Sequence, residues 1–140
     1  MQVNQKGFSL LEILIAVTIL GLVLGFVGQN LMGQLDEGKI DTTRNQITGL
    51  KGPLNDFKRH CNRYPTTDQG LEALISKPGG LECKKYRPGG YLGSETVPQD
   101  AWGEEFLYTS DSGRKYVIKS LGADFIEGGE GVDGDISSED

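Results

Sequence analysis

The stretch KGFSLLEILIAVTILG, residues 6–21, decides how this chain is read, because it sets one carboxylate, Glu12, inside an otherwise uncharged apolar run from Phe8 to Val27. About 20 apolar residues is the length at which an α-helix crosses the hydrocarbon of a bilayer. An acidic side chain there costs roughly 2.5–3.5 kcal/mol or more, so Glu12 needs a compensating charge. Cleavage after Gly7 would turn Phe8 into a new amino terminus, a cation one helical turn from Glu12 and able to pair with the Glu12 of a neighbouring chain. An ordinary secretory signal fits poorly: its apolar core is about 7–15 residues long and ends in a small-residue cleavage site, whereas this run is longer and has no such site. Lys6 before the run, with no acidic residue ahead of Glu12, agrees with an amino terminus held on the cytoplasmic side.

Downstream of the apolar run, Ile40, Ile47, Leu50, Leu54, Phe57 and Cys61 recur at spacings of three, four and seven, one narrow stripe on a helix. The pattern predicts a single helix from about Ser9 to about His60, its first half in the membrane and its second half packed on a domain. Gly49, Gly52 and Pro53 weaken the second half, since a proline removes a hydrogen bond and clashes with the carbonyl four residues back. Two separate helices are the alternative. Tyr64 and Pro65 end the pattern, and Thr66 with Gln69 resembles a capping box opening a short helix through Leu71, Leu74 and Ile75. Residues 81–101 lack periodicity and form an expected loop carrying Cys83. Alternation over 105–109 and 115–120, around the turn at Ser110–Gly113, predicts a small antiparallel sheet against the helix. Trp102, Tyr91, Tyr108 and Tyr116 are read as packing residues, not as a ligand cage.

The 140 residues suffice for one modest domain and an anchor, not for a multidomain enzyme. A net charge of −6 leaves no basic surface for nucleic acid, and residues 121–140 hold seven acidic side chains and no Lys or Arg. Two cysteines in a domain outside the cytoplasmic membrane are compatible with one disulfide.

The segment KGFSLLE resembles the signal of type IV pilins and pseudopilins. In that family a prepilin peptidase cuts between the glycine and the aromatic residue and methylates the new amine. The resemblance implies cleavage between Gly7 and Phe8, N-methylation of Phe8, and Glu12 as the assembly carboxylate. YPTTDQGLEALI (64–75), RPGGYL (87–92), PQDAWGEEFLY (98–108) and SLGADFIEGGEGVDGDI (120–136) are further similar to the major pseudopilins of the type II secretion system, general secretion pathway protein G. Type IV major pilins usually end in a disulfide-closed loop, and this chain has no cysteine after Cys83.

The family implies an α+β pilin-like fold: a leader at 1–7, a transmembrane and polymerisation helix at 8–33, and a periplasmic domain at 34–140 with a calcium-binding C-terminal loop. It implies a homopolymeric periplasmic pseudopilus that drives export of folded proteins across the outer membrane. The expected partners are minor pseudopilins, an inner-membrane assembly platform with its ATPase, the prepilin peptidase, and the membrane before assembly. An adhesive or motility type IV pilin is the alternative function, and a membrane-anchored calcium sensor a third.

Major pseudopilins carry one structural calcium, which the resemblance assigns to Asp124, Asp133, Asp135 and the Leu121 carbonyl, with Glu127 and Glu130 as further candidates. The chemistry agrees: Ca2+ takes six to eight hard oxygen ligands, and the absence of His or Cys argues against zinc. Residues 124–135 have the length of an EF-hand loop, but Ile126 and Gly128 fall at ligand positions and no Glu closes it. GGEGVD at 128–133 copies one calcium β-roll repeat, a motif that works only in stacks. A solvated acidic tail without an ion is the remaining alternative.

Cys61 and Cys83 depart from the family, which usually lacks a disulfide; as a pair they would close a loop of about 22 residues, for which chain entropy predicts roughly 3 kcal/mol. His60, the single histidine, is adjacent to Cys61 and so faces another way on a helix. With no nucleophile elbow, phosphate loop or metal-hydrolase motif, the chain is not expected to be an enzyme.

Overall fold

The structure is a computed structural model that describes residues 7–140, apart from the side chains of residues 29–32. One helix, α1, runs from Leu10 to Cys61 through Gly49, Gly52 and Pro53 without a break, so the two-helix alternative does not hold. Pro53 is tolerated because the burial of its neighbours offsets the lost hydrogen bond: Leu50, Leu54 and Phe57 are all essentially inaccessible. The chain forms two compact units, Met1–Asp36 and Glu37–Asp140.

In the second unit, Ile47, Leu50, Leu54 and Phe57 lie at helical spacing on one face and supply one wall of the core. The other wall comes from Leu71, Ala73 and Leu74, then Leu81, Cys83 and Tyr91, then Phe106, Tyr108, Ile118 and Ile136. Removing Phe57 from such a site costs about 3–5 kcal/mol in the usual large-to-small range.

Three short strands, β1 (Leu107–Thr109), β2 (Val117–Ser120) and β3 (Ile136–Ser137), form an antiparallel sheet in the order β1-β2-β3. Leu107 pairs with Lys119, and Ser120 with Ile136. The first strand is shorter than the alternation suggested because Glu105 forms an isolated bridge with Gln99. The third strand lies inside the acidic tail, where only a loop was expected.

The segment after α1 also differs from expectation. Leu71–Leu74 is a single 3₁₀ turn with no side-chain cap. Of the expected capping box only one half forms: the Thr66 backbone N–H donates to Gln69 Oε1 at 3.0 Å. The Thr67 hydroxyl instead joins Ser110, accepting its N–H at 2.9 Å. Farther on, the loop 81–101 is pinned where the Tyr91 N–H donates to the Leu74 carbonyl at 2.6 Å. Gly90 permits that approach, since at its φ of +80° a Cβ would stand 2.3 Å from the Ile75 carbonyl oxygen.

The aromatic residues pack as expected. Phe57 meets Tyr86 and Tyr91 edge-on, with ring centroids 6.1 and 5.5 Å apart. Tyr64 packs edge-on against Tyr116 at 4.7 Å.

Candidate assembly helix and acidic loop

Gly7, Phe8 and Ser9 precede α1, so the Gly7–Phe8 bond lies outside the helical ladder and is exposed. Ser9 starts the helix, its Oγ accepting the Leu11 N–H at 3.3 Å and its carbonyl the Ile13 N–H at 3.1 Å. Glu12 therefore stands in the first turn, where a carboxylate also meets the positive end of the helix dipole. Every residue from Gly7 to Gly28 is exposed, and all eleven Leu, Ile and Val side chains from Leu10 to Leu24 are at half exposure or more. A water-exposed helix of this character is unfavourable at about 25 cal/mol per Å² of apolar surface, so this face requires lipid or other copies of the same helix. Lys6 and the leader residues 1–6 lie outside the described residues.

At the far end of α1, Cys61 and Cys83 are joined by a disulfide with Cα atoms 5.0 Å apart. It ties the last turn of the helix to the long loop. His60 Nδ1 sits 3.1 Å from the Tyr91 hydroxyl, not against the sulfur.

The acidic loop begins where β2 ends. Ser120 Oγ donates to Asp100 Oδ2 at 2.6 Å and accepts the Gly122 N–H at 3.3 Å, both in buried surroundings. Asp100 Oδ1 accepts the N–H groups of Trp102 and Glu104 at 3.0 and 2.9 Å. Beside it, the fully buried Thr43 of α1 accepts the Ala101 N–H at 3.1 Å. The sequence reading missed this network; the QDAWG segment at 99–103, with an Asp just before a Gly-containing turn, was its only signal.

The loop then doubles back, the Ala123 N–H donating to the Val132 carbonyl at 2.9 Å. Gly122, with φ of +71°, allows it: a Cβ there would meet the carbonyl oxygens of Val132 and Gly134 at 2.8 Å. Asp124 turns inward on its own loop, its Oδ1 accepting the Ile126 N–H at 3.0 Å. Lys119 Nζ donates to Glu127 Oε1 at 2.8 Å and lies 3.3 Å from Asp135 Oδ2. Those two carboxylates, Glu127 foremost, hold the Lys119 pKa above its ordinary value.

Set beside the calcium expectation, the donors are oxygen only, and Asp135 Oδ1 is buried with no hydrogen-bond partner among the described residues. An orphaned carboxylate oxygen suits a hard cation. Among the described residues, however, no three acidic side chains lie close enough to form a metal group. The structure brings the Leu121–Asp124 and Val132–Asp135 backbones together but leaves Asp124, Asp133 and Glu130 exposed.

Residues 30–139 match the family model for protein G of the type II secretion system, and residues 3–28 match the prokaryotic N-terminal methylation motif. The chain belongs to the type II secretion protein G family. It is 41% identical over 136 residues to the type II secretion system core protein G of Vibrio cholerae, covering 96% of this chain and 92% of the relative. The core protein G of Pseudomonas aeruginosa is 36% identical over 139 residues, with 98% and 96% covered. The fold is similar to the crystal structure of the major pseudopilin from the type 2 secretion system of enterohaemorrhagic Escherichia coli, with a TM-score of 0.64, 33% identity, and 78% of this chain and 93% of that one covered. Protein G membership makes the chain a type II secretion pseudopilus subunit, and the adhesive or motility pilin is not favoured.

Proposed function

We propose that the mature chain is the major, homopolymerising subunit of a periplasmic pseudopilus. The observation that carries this is the fully exposed apolar face of residues 7–28 with its single carboxylate, Glu12. Before assembly that face lies in the inner membrane, with residues 34–140 in the periplasm. After a prepilin peptidase cuts at Gly7, the protonated Phe8 amine pairs with Glu12 of a neighbour, which removes an uncompensated charge from the apolar core and sets the register between helices. N-methylation leaves that amine able to carry its proton. Minor pseudopilins, an assembly platform and an ATPase are the further partners this reading requires, and filament growth would push folded proteins toward the outer membrane.

The acidic loop is proposed to hold one structural Ca2+ through Asp124, Asp133, Asp135 and the Leu121 carbonyl, with Glu127 or Glu130 completing the shell. Bound there, the ion would cross-link the two halves of the loop. The orphaned Asp135 oxygen and the backbone pairing of Ala123 with Val132 support this.

The test is Glu12→Ala in the full-length chain, leader included. Processing should stay largely intact while polymer yield falls sharply; a normal filament yield would sink the pairing.

A further inference from the structure

The cations of this acidic chain are concentrated. Seven of its fourteen Lys and Arg residues lie between Lys58 and Arg87. Arg59, Lys77, Lys84 and Lys85 line one open groove of about 760 Å³ beside the Cys61–Cys83 disulfide, with Glu82 as its one lining carboxylate. Arg59 is held by Asp56 one turn back on α1. Lys77, Lys84 and Lys85 are exposed and join no ion pair among the described residues.

The opposite charge lies on an exposed loop. Residues 124–131 form eight consecutive exposed positions carrying Asp124, Glu127 and Glu130, with exposed Asp133 just beyond. Among the described residues, Lys119 is the only cation paired with this loop. Even with one divalent ion bound, the loop keeps a net negative charge.

We propose that the basic groove of one copy receives the acidic loop of the next. The pairing is groove to exposed loop and cation to carboxylate, and it joins two different surfaces of the same chain. Such a head-to-tail contact does not close as a two-fold dimer does, and propagates into a filament wherever its rotation does not close a ring. It rests on the assembly reading and deepens it: the apolar helices supply cohesion, and the charged contact selects the register by steering and by penalising like-charge neighbours.

The experiment uses filaments of the processed full-length chain, grown from a mixture of 14N- and 15N-labelled subunits and treated with a carbodiimide, which joins a lysine amine to a carboxylate in contact. Mass spectrometry should find mixed-isotope crosslinks from Lys84 or Lys85 to Glu127 or Glu130. Their yield should fall several-fold at 1 M salt, where the screening length is about 3 Å. Lys84→Glu with Lys85→Glu should leave the melting temperature of the subunit unchanged, since both side chains are exposed, yet lower filament yield several-fold. Adding Glu130→Lys should restore part of it.

Polymer whose Lys84 and Lys85 couple only within a subunit, or to Glu72, Glu95 or Glu105 instead, overturns this contact alone. So does a charge-reversed chain that assembles normally but no longer binds anionic vesicles, which would assign the groove to lipid headgroups. A wild-type chain that forms no polymer overturns the assembly reading and this contact with it.

Discussion

Ser120 Oγ donates a 2.6 Å hydrogen bond to Asp100 Oδ2, and both residues are buried. The bond joins the QDAWG turn to the end of β2, the residue from which the acidic loop departs. Since Asp100 also accepts two backbone N–H groups, one carboxylate receives three hydrogen bonds, of which the one from Ser120 is fully buried. Asp100→Ala would strand the buried Ser120 hydroxyl, at about 1–3 kcal/mol for a buried donor left unpaired, and would also remove the two charge-assisted bonds from the partly exposed N–H groups. Chemical denaturation of the full chain in detergent should show a loss of about 3 kcal/mol or more. Ser120→Ala should cost less, about 1 kcal/mol, and an equal loss would show that the turn does not depend on Asp100.

The disulfide spans 22 residues and bridges the last turn of α1 to a loop with no regular structure. On the chain-entropy account, opening it should cost about 3 kcal/mol. Cys61→Ala with Cys83→Ala should lower the denaturation midpoint, and dithiothreitol should lower the wild type to a similar value without affecting the double variant. A reductant-insensitive wild type would mean that the bond contributes little.

Burial pushes the Tyr108 hydroxyl up to about 12 from its ordinary 10.0, against a smaller opposing hydrogen bond involving Ser110. The folded state therefore favours the neutral phenol. Its contribution is full below pH 10 and is lost as the pH rises from 10 towards 12, an effect on the order of 2 kcal/mol. Burial raises Tyr86 and Tyr116 as well, so they act in the same direction. Alkaline titration followed by circular dichroism should show this loss. Tyr108→Phe should flatten it while costing about 1 kcal/mol at neutral pH, the value of the 2.8 Å bond to the Pro65 carbonyl.

Melting the processed chain in calcium and then in chelator tests the ion. At 100 times its dissociation constant, a ligand specific to the folded state adds about 2.7 kcal/mol. An upward shift with calcium and not magnesium is expected. Identical curves would leave the tail solvated and ion-free.

Gly122→Ala probes the same loop without an ion. Its Cβ would meet the carbonyl oxygens of Val132 and Gly134, and its φ of +71° disfavours any side chain. A destabilisation of about 1–3 kcal/mol is expected in chelator, together with a smaller increment on adding calcium. Unchanged melting in both conditions would mean that the close backbone approach at Gly122 is dispensable.

Much of this protein is written locally. The apolar run with Glu12 needs no partner to be recognised, because membrane length and charge are properties of consecutive residues. The stripe from Ile47 to Phe57 predicts its own buried face, since helical periodicity repeats within a few turns. The strands at 105–109 and 115–120 were visible by alternation, and their ends were not, because Glu105 turns to bridge Gln99. Tertiary structure alone decided the rest. At two residues, β3 is too short to carry any alternation, and it exists only because Ser120 and Lys119 offer it an edge. The reach of Lys119 to Glu127 and Asp135, and the bond from Ser120 to Asp100, likewise depend on residues separated in sequence. Hydrogen bonds and ion pairs of that kind carry no period, so the folded backbone had to bring their partners together before they could be seen.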